Sequence, residues 1–162
     1  MAKYAIYSCE GFSREILPSV KKQVPILDGG KDQFVFLGDD SEKIRAVAYG
    51  CRVIWLAELQ NAPSRERLIN VGAANPWIRQ KIVARCQDAG VELFSLSDDT
   101  HFRSDNADVG AGAVFRAFTM ATDDTRGEKY FHYNIYSYVA RNFRIGGFVT
   151  FAPQVCCNER VQ

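Results

Sequence analysis

The stretch from Val109 to Cys157, VGAGAVFRAFTMATDDTRGEKYFHYNIYSYVARNFRIGGFVTFAPQVCC, decides the fold. Read in steps of six it gives Val109, Phe115, Ala121, Gly127, Tyr133, Val139, Ile145, Phe151 and Cys157, and eight of these nine are apolar. Four residues further on in each hexad a second column holds Ala113, Thr119, Thr125, Phe131, Ser137, Phe143, Val149, Val155 and Val161, without a single charge. Small or turn-forming residues follow the first column at Gly110, Asn134, Ala140, Gly146, Ala152 and Asn158. A period of six with two uncharged columns is the pattern of a hexapeptide β-helix, three hexads to a coil, with both columns pointing inward. Nine hexads then make three coils, from about residue 107 to the end of the chain. A sandwich of short strands is the competing reading, but sandwiches do not hold a fixed period over nine units. Antiparallel pairing through this region would end the β-helix reading.

Upstream, strand and helix patterns alternate. Lys3–Tyr7 (KYAIY), Gln33–Leu37, Arg52–Trp55, Leu68–Gly72 and Val91–Leu96 read as strands. Helical patterns run from Arg14 to Val24, before Pro25, and from Asn75-Pro76 to Ala89, with Ile78, Ile82, Val83 and Cys86 on one face and Gly90 as the stop. This alternation predicts an α/β domain over residues 1–96 with a parallel sheet and right-handed crossovers. Ligands of such sheets bind beyond the carboxyl ends of the strands, here Ser8 to Ser13 and Gly38 to Asp40. Ser8-Cys9-Glu10-Gly11-Phe12-Ser13 lies where a dinucleotide-binding protein carries G-x-G-x-x-G. All three glycine positions are substituted, which argues against an NAD enzyme. Its backbone N–H groups can still meet a phosphate, or it is a plain connecting turn. Asp39-Asp40 suits ribose or base recognition, or a solvated helix cap before Ser41. The polar segment Ser97 to Asn106 reads as a short linker or first turn.

Composition narrows the function classes. The chain has 162 residues, 20 Lys+Arg against 19 Asp+Glu, and 47% hydrophobic residues. A formal charge of +1 supplies no basic excess to neutralise nucleic-acid phosphates. No apolar run approaches the ~20 residues that span a bilayer, and the N-terminus lacks a signal-peptide pattern, so a cytoplasmic location is expected. Cys9, Cys51, Cys86, Cys156 and Cys157 are an odd, scattered set without C-x-x-C. They are expected to be reduced thiols packed as small hydrophobes, with no metal bound.

The order of an α/β domain followed by hexapeptide repeats resembles the sugar acyltransferases of the sialic-acid O-acetyltransferase and bacillosamine N-acetyltransferase type. Ser8-Cys9-Glu10-Gly11-Phe12-Ser13-Arg14-Glu15 is similar to that family's G-A-G-G-F-G-R-E turn, and Phe34–Asp40 to its second strand and Asp pair. The most specific matches are Asn134–Ala140 (NIYSYVA) and Gly147–Pro153 (GFVTFAP). The resemblance implies a left-handed helix and a homotrimer. It also implies acetyl-CoA, contacting Gly146 and Ala152, between neighbouring subunits. A nucleotide-linked sugar would be held at Ser8, Gly11, Phe12, Ser13, Asp39 and Asp40. The implied activity is N- or O-acetylation of that sugar in surface-polysaccharide or glycan biosynthesis.

One departure bears on catalysis. Where the family has a His and an acidic partner, the general base and its orienter, this chain has Arg141 and Asn142. A guanidinium has no acceptor and is not deprotonated in proteins, so Arg141 cannot take a proton. His132 lies half a coil earlier in a different hexad position and should face another side of the prism. Asn134, matching an asparagine near the family's reacting groups, is retained. The family also continues for two or three further coils beyond the position of Gln162. Two functions therefore compete: an acetyltransferase, and a non-catalytic sugar-nucleotide-binding or scaffold homologue that has lost the catalytic His.

Overall fold

The computed structural model describes residues 3–8, 11–28, 34–38, 47–60 and 67–159. They form two compact units, Met1–Phe94 and Ser95–Gln162.

The first unit carries a sheet in the order β3-β4-β2-β1-β5-β6. Its strands are β1 (Lys3–Tyr7), β2 (Phe34–Gly38), β3 (Val47–Ala48), β4 (Cys51–Trp55), β5 (Arg67–Val71) and β6 (Glu92–Leu93). All pairs are parallel except β3 with β4. That hairpin turns at Tyr49-Gly50, both at positive φ as a tight two-residue turn requires. Neither β3 nor the short helix α2 (Leu56–Gln60) has a periodic signature, and sequence reasoning missed both. Helix α1 (Phe12–Asp28) runs past Pro18 and Pro25, whereas the sequence predicts a stop before Pro25. A proline removes one backbone bond, and the helix can carry that loss with Ile16, Leu17 and Val20 locked in the core. Helix α3 (Pro76–Asp88) starts at Asn75, whose Oδ1 accepts from the N–H groups of Trp77 and Ile78. It ends at Ala89 and Gly90, the latter at φ +65°. Its buried face is Arg79, Ile82, Val83 and Cys86, while Ile78 is 53% exposed. The expected apolar face is thus corrected by one residue, with an arginine on the inside.

The second unit is a three-sided parallel β-helix. One sheet stacks β7 (Leu96–Ser97), β10 (Val114–Phe115), β13 (His132–Tyr133) and β16 (Thr150–Phe151). The next stacks β8 (Phe102–Arg103), β11 (Met120–Ala121), β14 (Tyr138–Val139) and β17 (Cys156–Cys157), and the last stacks β9 (Asp108–Val109), β12 (Arg126–Gly127) and β15 (Arg144–Ile145). Each pair is parallel and in an 18-residue register, as in Leu96↔Val114↔His132↔Thr150. The first coil opens at Ser95, so Ser97 to Asn106 is the first turn of the β-helix rather than a linker.

Both inward columns fill the core, where Phe115, Phe131, Tyr133 and Phe151 pack edge to face at 4.7–5.6 Å. Val149 is the exception in its column, 37% exposed, and Val161 lies outside the described residues. A third column explains the period physically. Gly112, Phe118, Asp124, Tyr130, Tyr136, Asn142, Phe148 and Gln154 all sit at positive φ, one at each corner. A side chain there costs about 1–2 kcal/mol, and stacking returns part of it. Phe118 lies on Tyr136 with centroids 5.0 Å apart, and Tyr130 on Phe148 at 5.1 Å.

Candidate functional site

In the first unit, β1 lies between β2 and β5, so the order reverses beside it. A crevice at such a switch point is where open parallel sheets receive ligands. The turn after β1 is fixed from both sides. The Ser8 N–H donates to the Leu37 carbonyl at 2.8 Å, and the Gly72 N–H donates to the Tyr7 carbonyl at 3.2 Å. Ser8 is at φ 82° and Gly11 at φ +52°, the latter exposed. Phe12 and Ser13 are buried, and the Ser13 hydroxyl donates to the Gly72 carbonyl at 2.9 Å. The turn therefore offers a ligand its backbone and the first N–H groups of α1, with the Ser13 hydroxyl spent on packing. Cys9, Glu10, Asp39 and Asp40 lie outside the described residues.

Sequence reasoning missed the loop after β5. A Cβ on Gly72 would stand 2.8 Å from the Ser13 Cα, so only glycine allows this loop to touch the start of α1. Buried Arg79 braces the same loop, donating from Nη1 to the Ala73 carbonyl at 2.6 Å and to that of Ala74 at 3.1 Å. Burial lowers its pKa to about 10, which leaves it charged at neutral pH.

In the β-helix the predicted residues fall on three different corners. Asn134 and Ala152 share the corner between the β13 and β14 sheets, with Arg116 one coil below. Arg141 and Asn142 occupy the next corner, between β14 and β15. Gly146 sits on the third, beside a groove of about 560 Å³ lined by Glu128, Lys129, Tyr130, Gly147 and Phe148 among others. One chain therefore does not bring Asn134 to Arg141, or Gly146 to Ala152.

Arg141 is exposed and forms an ion pair with Glu159, one coil above; its Nη2 also donates to Glu159 Oε2 at 3.3 Å. That hydrogen bond and charge raise its pKa further, and Asp123, one coil below, adds to the effect. His132 is fully buried on β13, while Arg141 sits at the corner between β14 and β15, so the two lie on different sides of the prism. Of the cysteines, Cys51 and Cys86 are buried free thiols, and burial pushes Cys86 up to about 12. Cys156 is an exposed free thiol and Cys157 a partly buried one, so the expectation of thiols acting as small hydrophobes does not extend to Cys156.

An α/β domain joined to a parallel β-helix of hexapeptide coils is the architecture of a sugar acyltransferase. No family profile matches the chain. GDP-perosamine N-acetyltransferase of Escherichia coli O157:H7 is 31% identical over 163 residues, covering 99% of this chain and 72% of that protein. The solved structure of WeeI from Acinetobacter baumannii AYE superposes with a TM-score of 0.88 at 30% identity, over 99% of this chain and 74% of that one. The acetyltransferase domain of PglB from Neisseria gonorrhoeae FA1090, in complex with acetyl coenzyme A, has the same fold (TM-score 0.80, 20% identity, 93% and 70% coverage). So does a mutant GDP-perosamine N-acetyltransferase from Caulobacter crescentus, in complex with CoA and GDP-perosamine (TM-score 0.82, 16% identity, 96% and 71% coverage). The chain belongs to the hexapeptide-repeat sugar acetyltransferase family that includes GDP-perosamine N-acetyltransferase, and its β-helix is left-handed.

Proposed function

We propose that this chain holds a nucleotide-linked amino sugar at the switch point of its first sheet and serves acetyl transfer to it from acetyl-CoA. The reading includes a homotrimer, a cytoplasmic location and a role in surface-polysaccharide or glycan biosynthesis. The observation that carries it is 31% identity to GDP-perosamine N-acetyltransferase over 99% of the chain. Backbone groups at Ser8 and Gly11, and the start of α1 at Phe12 and Ser13, would receive the diphosphate, with Asp39 and Asp40 toward the nucleoside. Gly146 and Ala152 would contact acetyl-CoA from different copies, because they lie on different corners. The outward side of the β8–β11–β14–β17 sheet supports self-association: Phe102 is 54% exposed and Met120 41%.

In the transfer, the sugar amine attacks the thioester carbonyl carbon and the carbon–sulfur bond breaks. Thiolate CoA leaves, and the amine proton passes to a base. Arg141 cannot be that base, and a positioned base supplies ~10²–10⁴-fold. Turnover by this chain is therefore expected to be slow or absent. The ion pair of Arg141 with Glu159 favours the second reading, a homologue that binds without catalysing.

A thiol-release assay with acetyl-CoA and a panel of nucleotide amino sugars, GDP-perosamine among them, tests both, alongside calorimetric binding. Turnover supports the enzyme, and binding without turnover supports the second reading. Failure to bind any nucleotide sugar or acetyl-CoA would overturn both.

A further inference from the structure

The Asn134 corner contains a device that the family likeness does not predict. Asn134 Oδ1 accepts from Arg116 Nη1 at 2.6 Å and from the Ile135 backbone N–H at 2.9 Å. Both partners are donors without acceptor capacity, so the atom between them must be the amide oxygen; a flipped amide would set N–H against N–H. The oxygen is thereby occupied, and Asn134 Nδ2 makes no hydrogen bond among the described residues. The corner is rigid. Arg116 and Asn134 are one coil apart, their backbones are tied by the Arg116 N–H to Tyr133 and the Asn134 N–H to Phe151, and the Phe118–Tyr136 stack stands two residues beyond. A charged donor on the amide oxygen also polarises the amide, which strengthens its N–H groups as donors.

We propose that Arg116 is a positioning residue that fixes the Asn134 carboxamide as a pure donor, its N–H pair presented to an acceptor oxygen of the bound reactants. The inference rests on the proposed function for the identity of those reactants. The acceptor is a neutral oxygen, either the acyl carbonyl of acetyl-CoA or a hydroxyl or ring oxygen of the sugar. Asn134 does not act as the proton acceptor that Arg141 fails to be, because its oxygen is already engaged.

The test uses the full chain with Arg116→Met, Arg116→Lys, Asn134→Ala and the double variant Arg116→Met/Asn134→Ala. Side-chain amide ¹⁵N–¹H signals, with that of Asn134 assigned by its loss in Asn134→Ala, read the hold directly and need no ligand. The wild type should give a dispersed, slowly exchanging pair that collapses toward free-amide shifts in Arg116→Met and is partly restored in Arg116→Lys. An unchanged pair in Arg116→Met overturns the hold. Calorimetry with acetyl-CoA and with GDP-perosamine reads the donor role. Losing one neutral hydrogen bond should weaken one of the two ligands by about 3- to 10-fold, which identifies the source of the oxygen. The double variant should bind no worse than Asn134→Ala, because Arg116 acts through Asn134. Additive losses, or equal losses for both ligands with a lowered Tm, would mean a structural role and overturn the proposal. If the wild type binds neither ligand, the donor role falls with the proposed function, while the amide signals still decide the hold.

Discussion

His101 makes the β-helix sensitive to acid, and the size of the effect follows from its surroundings. Its ring stacks on Phe115 with centroids 4.2 Å apart, and its Nδ1 lies 2.9 Å from Thr119 Oγ1 and 3.2 Å from the Thr119 carbonyl oxygen. A carbonyl only accepts, so Nδ1 carries the proton and Nε2 is the bare nitrogen, buried without a hydrogen-bond partner among the described residues. Burial above all, with Arg103 adding to it, pushes the pKa from 6.5 to about 4, against opposing contributions from Thr119 and Asp98. The unfolded chain therefore takes up this proton as pH falls through its ordinary value, and the folded chain does so only near the lower one. Stability is full above the upper value, falls across the window between the two, and levels off below it. From about pH 7.5 to about pH 5 the loss comes to about 2 kcal/mol. For a chain of this length that is about 4–8 °C in Tm. Thermal unfolding by circular dichroism, at matched ionic strength, should be followed for the wild type and for His101→Gln. The variant keeps an amide donor for Thr119 and does not titrate. The wild type should lose several degrees more than the variant over this range. A parallel loss in both proteins would refute the reasoning, because every other titrating group is common to them.

Phe131→Ala should cost about 3–5 kcal/mol, since the ring is fully buried against Phe115 and Tyr133; denaturant unfolding measures it. Gly72→Ala should cost about 1–3 kcal/mol through its clash with Ser13. It should also weaken nucleotide binding more than acetyl-CoA binding in parallel titrations. Arg141→His with Asn142→Asp should raise acetyl transfer above the wild type in the thiol-release assay. No gain with both ligands still bound would place the defect elsewhere than in the missing base.

The β-helix was legible because its constraint repeats. Each coil places Phe115, Tyr133 and Phe151 above one another, and a charge in that column would meet the core at every turn. The corners were less legible. The residues that must adopt positive φ include Phe118, Tyr130, Tyr136 and Phe148, and bulky aromatics give no turn signal in a sequence. Their tolerance comes from stacking on residues 18 positions away. The same distance left Ser97 to Asn106 open between a linker and a first turn: its polar residues fit either, and only the pairing of its strands with the coil above decides for the turn. Arg79 escaped for a different reason. An arginine inside a helix face reads as surface until the carbonyls of Ala73 and Ala74 are seen to receive it.

The same stacking rule accounts for Arg141. A corner side chain on a β-helix has two fixed neighbours, the residues one coil below and one coil above, and for Arg141 these are Asp123 and Glu159. Two carboxylates favour a permanent cation between them, and an exposed pair of this kind adds little to stability. Its consequence is chemical. Where the resemblance places the general base, with a bare nitrogen for an incoming amine, this chain presents a guanidinium, which has donors and no lone pair. Asn134 on the neighbouring corner is likewise turned to donate, its oxygen held by Arg116. Each position, on its own corner, therefore offers hydrogens: Asn134 to a neutral carbonyl, hydroxyl or ring oxygen, and Arg141 to any oxygen acceptor. Proton removal needs an acceptor that neither of them supplies.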